Sequence, residues 1–356
     1  MGSILVVNAG STSLKLRIVD ESEDAHEAAS LAEVAAGELE AVAHRVVHGG
    51  PRFRAPVLVD EEIREEIHRL KLLAPLHNAP ALRGLDDAHQ AFPSLPHVAV
   101  FDTGFHATIP DEAAVYAVPA RWREEWGIRR YGFHGLSVQW SAERAAELLD
   151  RPASRLVVCH LGGGCSVSAV RDGRSVDTTM GFSPLEGVPM NTRSGSVDPG
   201  ALLYLLRSGL LGVDELDHAL NLESGLAGLG GGGVGAAREL QAAAETGDSA
   251  AQFAFAVFEL RVAGAVASMA ASAGGLDALV FTAGIGEGSG RVREGVCARL
   301  GFLGVELDAR GNASAVPDCD VAADGAPVRA LVIHAREELI AARAARDVLR
   351  KTRTEP

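Results

Sequence analysis

The residues best suited to chemistry in this sequence sit in short, glycine-flanked segments. Residues 8–15 read Asn-Ala-Gly-Ser-Thr-Ser-Leu-Lys. If the chain turns there, backbone N–H groups and the Ser11 and Ser13 hydroxyls converge on an anion, with Lys15 beside them. The same residues are also ordinary turn formers. A second segment, from His160 through Gly162 and Gly164, repeats the pattern, and two such loops facing each other across a cleft would hold a polyphosphate.

Residues 44–50 read His-Arg-Val-Val-His-Gly-Gly. The two histidines suggest a metal, but an HExxH zinc site needs a helix and a glutamate, and this stretch is β-branched with an arginine instead. Read as a strand, it puts Arg45 and Val47 on one face, a guanidinium next to a small apolar wall. That pair suits a small carboxylate with a short apolar tail. His134 and Arg193 lie in glycine-flanked turns, where reactive side chains concentrate, though each reads equally as a satisfied surface residue. Asp102 and the Glu337-Glu338 pair can anchor a divalent cation through water; adjacent glutamates also serve simply as complements to a helix dipole.

These side chains need a scaffold. The opening apolar run, the turn and the alternating residues 14–20 predict strand, turn, strand. Residues 41–47, 97–101, 156–160, 166–170 and 278–282 read as short strands, and 61–73 and 142–149 carry helical periodicity. Strands interleaved with helices predict an α/β protein. The first hairpin is echoed at 157–170, which predicts an internally duplicated fold of two domains. The glycine tract 225–235 satisfies GxGxxG at Gly228, Gly230 and Gly233 with no strand before it, and is expected as a flexible loop.

The 356 residues suffice for about two domains. With 33 Lys and Arg against 47 Asp and Glu, the net charge of −14 repels nucleic-acid backbones. There is no GxxxxGK[ST] and no protein-kinase signature. Four scattered cysteines without CxxC spacing fit a reducing cytoplasm. Residues 253–273 carry Glu259 and Arg261 and are expected as a buried helix, not a membrane span.

Together with Ala-Pro-Leu-His-Asn at 74–78, Phe-Asp-Thr-Gly-Phe-His at 101–106, Tyr-Gly-Phe-His-Gly at 131–135, Gly-Phe-Ser-Pro-Leu-Glu-Gly at 181–187 and Phe-Thr-Ala-Gly-Ile-Gly-Glu at 281–287, the two segments at 8–15 and 44–50 make the chain resemble the acetate kinase family. The match runs in order from Ile4 to about Ala345. The resemblance implies two duplicated actin-like ATPase (RNase H-like) domains around a nucleotide cleft, here 1–102 plus 339–356 and 106–338, and a homodimer. It implies an ATP- and Mg²⁺-dependent kinase that makes an acyl phosphate from acetate or propionate. A longer or functionalised acid, or a non-catalytic nucleotide-binding member of the fold, are the alternatives.

By this resemblance Arg45 and Arg193 bind the carboxylate and the transferring phosphoryl group, and His134 hydrogen-bonds that phosphoryl. Asn8, Asp102 and Glu337 organise Mg²⁺. Val47, Leu76, Phe133 and Pro184 receive the acid's methyl group. Ser11, Ser13, Lys15, His160, Gly162, Gly164, Arg238, Gly284 and Gly286 fall to the nucleotide and its phosphates. The departures lie on the nucleotide side: Gly163 and Gly288 stand where the family usually has asparagine, and the glycine tract replaces a loop that brings an aspartate and an arginine, leaving Arg238. Weak nucleotide binding with broad base tolerance is the expected consequence, with pyrophosphate a minor alternative donor.

Overall fold

The computed structural model describes residues 2–9, 14–70, 75–150, 154–231 and 237–354. Ser11, Ser13 and Gly233 lie outside the described residues, as does the side chain of Leu76. The chain divides into two compact units, one of Met1–Ala107, Tyr131–Trp140 and Arg336–Pro356, the other of Thr108–Arg130 and Ser141–Ala335. The stretch holding His134, expected with the second domain, thus falls in the first unit.

The first unit is built on strands β1 Ser3–Ala9, β2 Leu14–Val19, β3 Ala25–Ala28, β4 Leu39–Val46, β5 Val57–Leu58 and β6 His97–Phe101, in the order β3-β2-β1-β4-β6-β5. β1, β2 and β3 form an antiparallel meander, and β4 and β6 run parallel to β1. Ile4, Leu5, Val6 and Val7 are at most 2% exposed. A continuous apolar run of this kind belongs in a strand covered on both faces. The last helix, Glu337–Thr354, packs on β1, β4 and β6, and the helix Pro75–Ala91 on β1 and β4.

The second unit carries β7 Arg155–Leu161, β8 Cys165–Arg171, β9 Arg174–Thr178, β10 Ala278–Thr282, β11 Cys319–Asp320 and β12 Arg329–Val332. Their order is β9-β8-β7-β10-β12-β11, again a meander followed by two parallel strands and an antiparallel edge. Strand for strand this repeats the first sheet, so the duplication expected from the two hairpins is present in the topology.

Four local expectations are refined. Of the helix expected at 61–73, Glu61–Arg69 is α-helical with Leu70 as its cap, and 71–73 lie outside the described residues; the one expected at 142–149 begins earlier, as Gly135–Leu148. The helix expected over 253–273 is Ser249–Ala273, started by the Asp248 carboxylate accepting from Ala251 N–H and closed by Gly274 at φ 77. It is long and apolar enough to cross a membrane, but it packs on β7, β8 and β9 as a core helix and buries one face only, leaving Phe253 and Leu260 exposed. The glycine tract is not loop throughout: residues Gly225–Leu229 are helical. Gly225, at φ 64, takes a left-handed conformation open to glycine, and the Leu226 and Ala227 N–H groups then donate to the Met190 and Asn191 carbonyls. Tertiary hydrogen bonds here override a composition that favours coil.

Candidate active site

In the first unit, the C-terminal ends of β1, β4 and β6 lie side by side, the usual ligand edge of a parallel sheet. Val7 pairs with His44 and Arg45 with Val100, which brings Asn8, Arg45 and Asp102 to that edge. Glu337 joins them from the first turn of the last helix. The four side chains meet at the Arg45 guanidinium. Its Nε and Nη2 donate to the two carboxylate oxygens of Asp102 at 2.8 and 2.6 Å, and Nη1 donates to Asn8 Oδ1 at 3.1 Å and pairs with Glu337 Oε2 at 2.9 Å. Burial works against the Arg45 charge, but the Asp102 and Glu337 carboxylates more than offset it and hold its pKa above the ordinary arginine value.

His134 stands beside this cluster in the backbone. It adopts φ 59, left-handed for a residue with a side chain, immediately before the helix Gly135–Leu148. The Gly135 N–H donates to the Asp102 carbonyl at 2.9 Å, and a Cβ on Gly135 would overlap that carbonyl oxygen. Phe133 is buried and its carbonyl accepts from His106 Nε2 at 2.9 Å. Val47 follows the end of β4, is also buried, and is held through its neighbour: His48 N–H donates to Asn78 Oδ1 at 3.1 Å, and Asn78 Nδ2 donates back to His48 O at 3.2 Å. His48 packs its ring on Tyr131 and Phe133. His44 Nε2 bonds His97 Nδ1 at 2.8 Å. Lys15 is the exposed cross-strand neighbour of Asn8.

In the second unit, the turn Gly162–Gly164 closes β7 and β8, with Gly162 N–H donating to Gly164 O at 3.0 Å. Gly162 abuts Ala283 and the imidazole of His160. Ala283 opens the helix Ala283–Gly288 that contains Gly284 and Gly286, and its N–H donates to Glu287 at 2.9 Å. His160, Gly162, Gly164 and the helix start with Gly284 are therefore neighbours, and Gly163 and Gly284 face open space. Arg238 is exposed in the first turn of the helix Ala237–Glu245. Arg193 lies in a separate turn, where its Nη1 donates to Pro184 O at 3.0 Å; burial lowers its pKa.

Asn8 Oδ1 and the Asp102 and Glu337 carboxylates form an all-oxygen donor set, which suits a hard cation such as Mg²⁺. Among the described residues no group of three or more His, Cys, Asp or Glu offers a full metal cage. Mg²⁺ is commonly held by one or two carboxylates plus substrate phosphates, so this smaller set fits it. Asn78, His106, Gly135, Tyr116, Arg130 and Glu186 received no role from the sequence. All but Tyr116 and Arg130 lie within the motifs quoted above, which was the available signal.

The profile of the acetokinase family matches residues 32–343. An acetate kinase of Nostoc punctiforme is 46% identical over 349 residues, 95% of this chain and 86% of its own. One of Deinococcus radiodurans is 52% identical over 308 residues, 85% and 77% of the two chains. Among solved structures, a propionate kinase from Francisella tularensis superposes with a TM-score of 0.90 at 35% identity, covering 97% of this chain and 99% of its own. An acetate kinase from Porphyromonas gingivalis gives 0.86 at 30%, covering 98% and 100%. Fold and relatives together define a phosphotransferase that acts between ATP and a small carboxylate. The chain belongs to the acetokinase family, and its relatives do not favour the longer-acid or non-catalytic readings.

Proposed function

We propose that Arg45, Asp102, His134 and Arg193 carry the reversible transfer of the ATP γ-phosphoryl group to acetate or propionate. Phosphoryl transfer asks a protein for positioning and charge neutralisation more than for covalent help. Arg45 and Arg193 supply cationic N–H donors to the acid and to the phosphoryl oxygens, and His134 supplies a further hydrogen bond. Asn8, Asp102 and Glu337 hold Mg²⁺, which when bound neutralises polyphosphate charge. Val47, Leu76, Phe133 and Pro184 limit the length of the acid. Ser11, Ser13 and Lys15, with His160, Gly162, Gly164, Gly284 and Gly286, take the phosphates, and Arg238 the nucleoside side.

The observation that carries this reading is the convergence on Arg45 of Asn8, Asp102 and Glu337 from three other elements at the strand ends. A homodimer is supported by Leu203, Tyr204, Leu210 and Val213, which are 46–72% exposed on or beside the helices Pro199–Arg207 and Val213–Leu222. A reducing cytoplasm is supported by the four free cysteines, three of them buried. Trapping acyl phosphates as hydroxamates over a panel of acids with Mg²⁺-ATP tests the reading. Acetate and propionate are expected to outrun butyrate, since each methylene that does not fit costs roughly 1–3 kcal/mol; a preference for butyrate or larger acids contradicts it.

A further inference from the structure

The segment 181–187 carries Pro184, and its fixed shape has a source outside the residues so far given a role. Arg130, from the loop before Tyr131, links it to the end of β9: Nη1 donates to the carbonyls of Thr178, Thr179 and Met180 at 2.9, 3.0 and 3.2 Å, while Nη2 donates to Glu186 Oε1 at 3.0 Å. The Tyr116 hydroxyl donates to the other Glu186 oxygen and accepts the Phe182 N–H at 2.9 Å, with the Arg130 guanidinium over its ring. A Cβ on Gly181 would overlap both Glu186 Oε2 and the Tyr116 hydroxyl, so this packing requires glycine there. Downstream, Gly187 and Ser196 exchange hydrogen bonds of 3.1 and 2.8 Å, and Arg193 Nη1 rests on Pro184 O.

From this geometry we infer that Glu186, clamped by Tyr116 and Arg130, is a positioning residue that sets both the Arg193 guanidinium and the Pro184 wall, and so couples turnover to the length of acid accepted. The inference rests on the proposed roles of Arg193 and Pro184. Its physical basis is short. The Glu186 carboxylate ties the segment at one oxygen to Arg130, which grips the end of β9, and at the other to Tyr116, and two residues earlier the same segment presents the carbonyl that accepts from Arg193. Loosening the clamp moves a cation and an apolar wall together. A displacement of about 1 Å in such a group costs on the order of 100-fold in rate.

Tyr116→Phe removes one hydroxyl, Glu186→Ala removes the clamp, and Glu186→Gln keeps part of it. Two readouts apply: steady-state kinetics with acetate, propionate and butyrate, and amide hydrogen exchange over residues 181–198 in the full chain. Tyr116→Phe and Glu186→Ala are expected to lower kcat with acetate about 10- to 100-fold and to shrink the acetate-over-butyrate ratio of kcat/KM about fivefold, with KM for ATP little changed. Glu186→Gln falls between them and the wild type, and exchange over 181–198 accelerates in the same order. Equal losses for all three acids, or unchanged exchange in both Tyr116→Phe and Glu186→Ala, overturn the inference. If Glu186→Ala does not fold, Tyr116→Phe decides, since it retains the Arg130–Glu186 pair. A wild type that phosphorylates no acid overturns the functional reading instead, and the exchange measurement still decides whether the clamp holds the segment.

Discussion

Arg45 and Asp102 face each other through two parallel N–H···O bonds of 2.8 and 2.6 Å, with the carboxylate only 1% exposed. This bidentate geometry is specific to a guanidinium. It makes Arg45 the counter-charge of a buried aspartate, alongside the role toward the acid proposed for it.

Arg45→Ala is therefore expected to lower turnover by roughly 10³-fold or more. It also breaks the buried bidentate pair with Asp102, which costs about 3–5 kcal/mol of stability. Arg45→Lys retains the charge but not the fork, and is expected to stay severely impaired. Steady-state rates and urea melts on both variants check this; near-wild-type turnover in either one removes the role assigned to Arg45.

Gly135→Ala tests the link between His134 and Asp102. The added methyl would overlap the Asp102 carbonyl oxygen that accepts the Gly135 N–H. The helix start must shift, taking His134 with it. Expected are a loss of about 100-fold in kcat from misplacement and an intact secondary-structure spectrum. Full activity in Gly135→Ala contradicts the account of how His134 is held.

Stability is expected to fall as pH drops from about 7 toward 5. His97 Nε2 lies 3.0 Å from Phe92 O, which can only accept, so the proton is on that nitrogen and His97 Nδ1 accepts from His44 Nε2. Burial favours the neutral form of both rings. Burial, assisted by His97 and His89, pushes His44 down to about 3, and burial pushes His106 down to about 4. Unfolded, each binds a proton near pH 6.5, so between 6.5 and those values the unfolded state holds more protons and gains as pH falls. The effect approaches 1.4 kcal/mol per pH unit per histidine. Urea melts at pH 7.5 and 5.0 measure it, and His106→Asn should show the smaller difference; an equal difference contradicts the assignment.

The sequence disclosed the separate parts of the site better than their assembly. Asn8, Arg45, Asp102 and Glu337 each stood out in a local pattern. Their meeting depends on the parallel register of β1, β4 and β6 and on a helix that begins at Glu337, which no local window contains. The central strands β1, β2, β4, β6, β7, β8 and β10 were legible because their apolar runs are short and bounded, whereas β3, β5, β9, β11 and β12 were not read, nor was the helix Gly225–Leu229, whose first N–H groups donate to the distant Met190 and Asn191 carbonyls. Asn78, His106 and Glu186 went without roles for the same reason: a polar residue does not announce its distant partner.

The nucleotide side offers a gain-of-function test. Gly163 and Gly288 have no atoms within 4 Å of where a Cβ would fall. A Cβ at either meets no described atom. If base and ribose contacts are what this chain lacks, Gly163→Asn and Gly288→Asn each lower KM for ATP about 2- to 12-fold, the equivalent of one hydrogen bond, and sharpen the choice of ATP over GTP. Unchanged KM values in both would show that other residues already supply those contacts.

The most direct test of phosphoryl transfer to a short acid is a ³¹P NMR time course of the wild-type chain with Mg²⁺-ATP and acetate. The account predicts that the γ-phosphorus signal is replaced by that of acetyl phosphate as ADP appears, with the same exchange run backward from acetyl phosphate and ADP, and with propionate giving its own acyl phosphate. Release of inorganic phosphate alone, or no consumption of ATP with either acid, would contradict it.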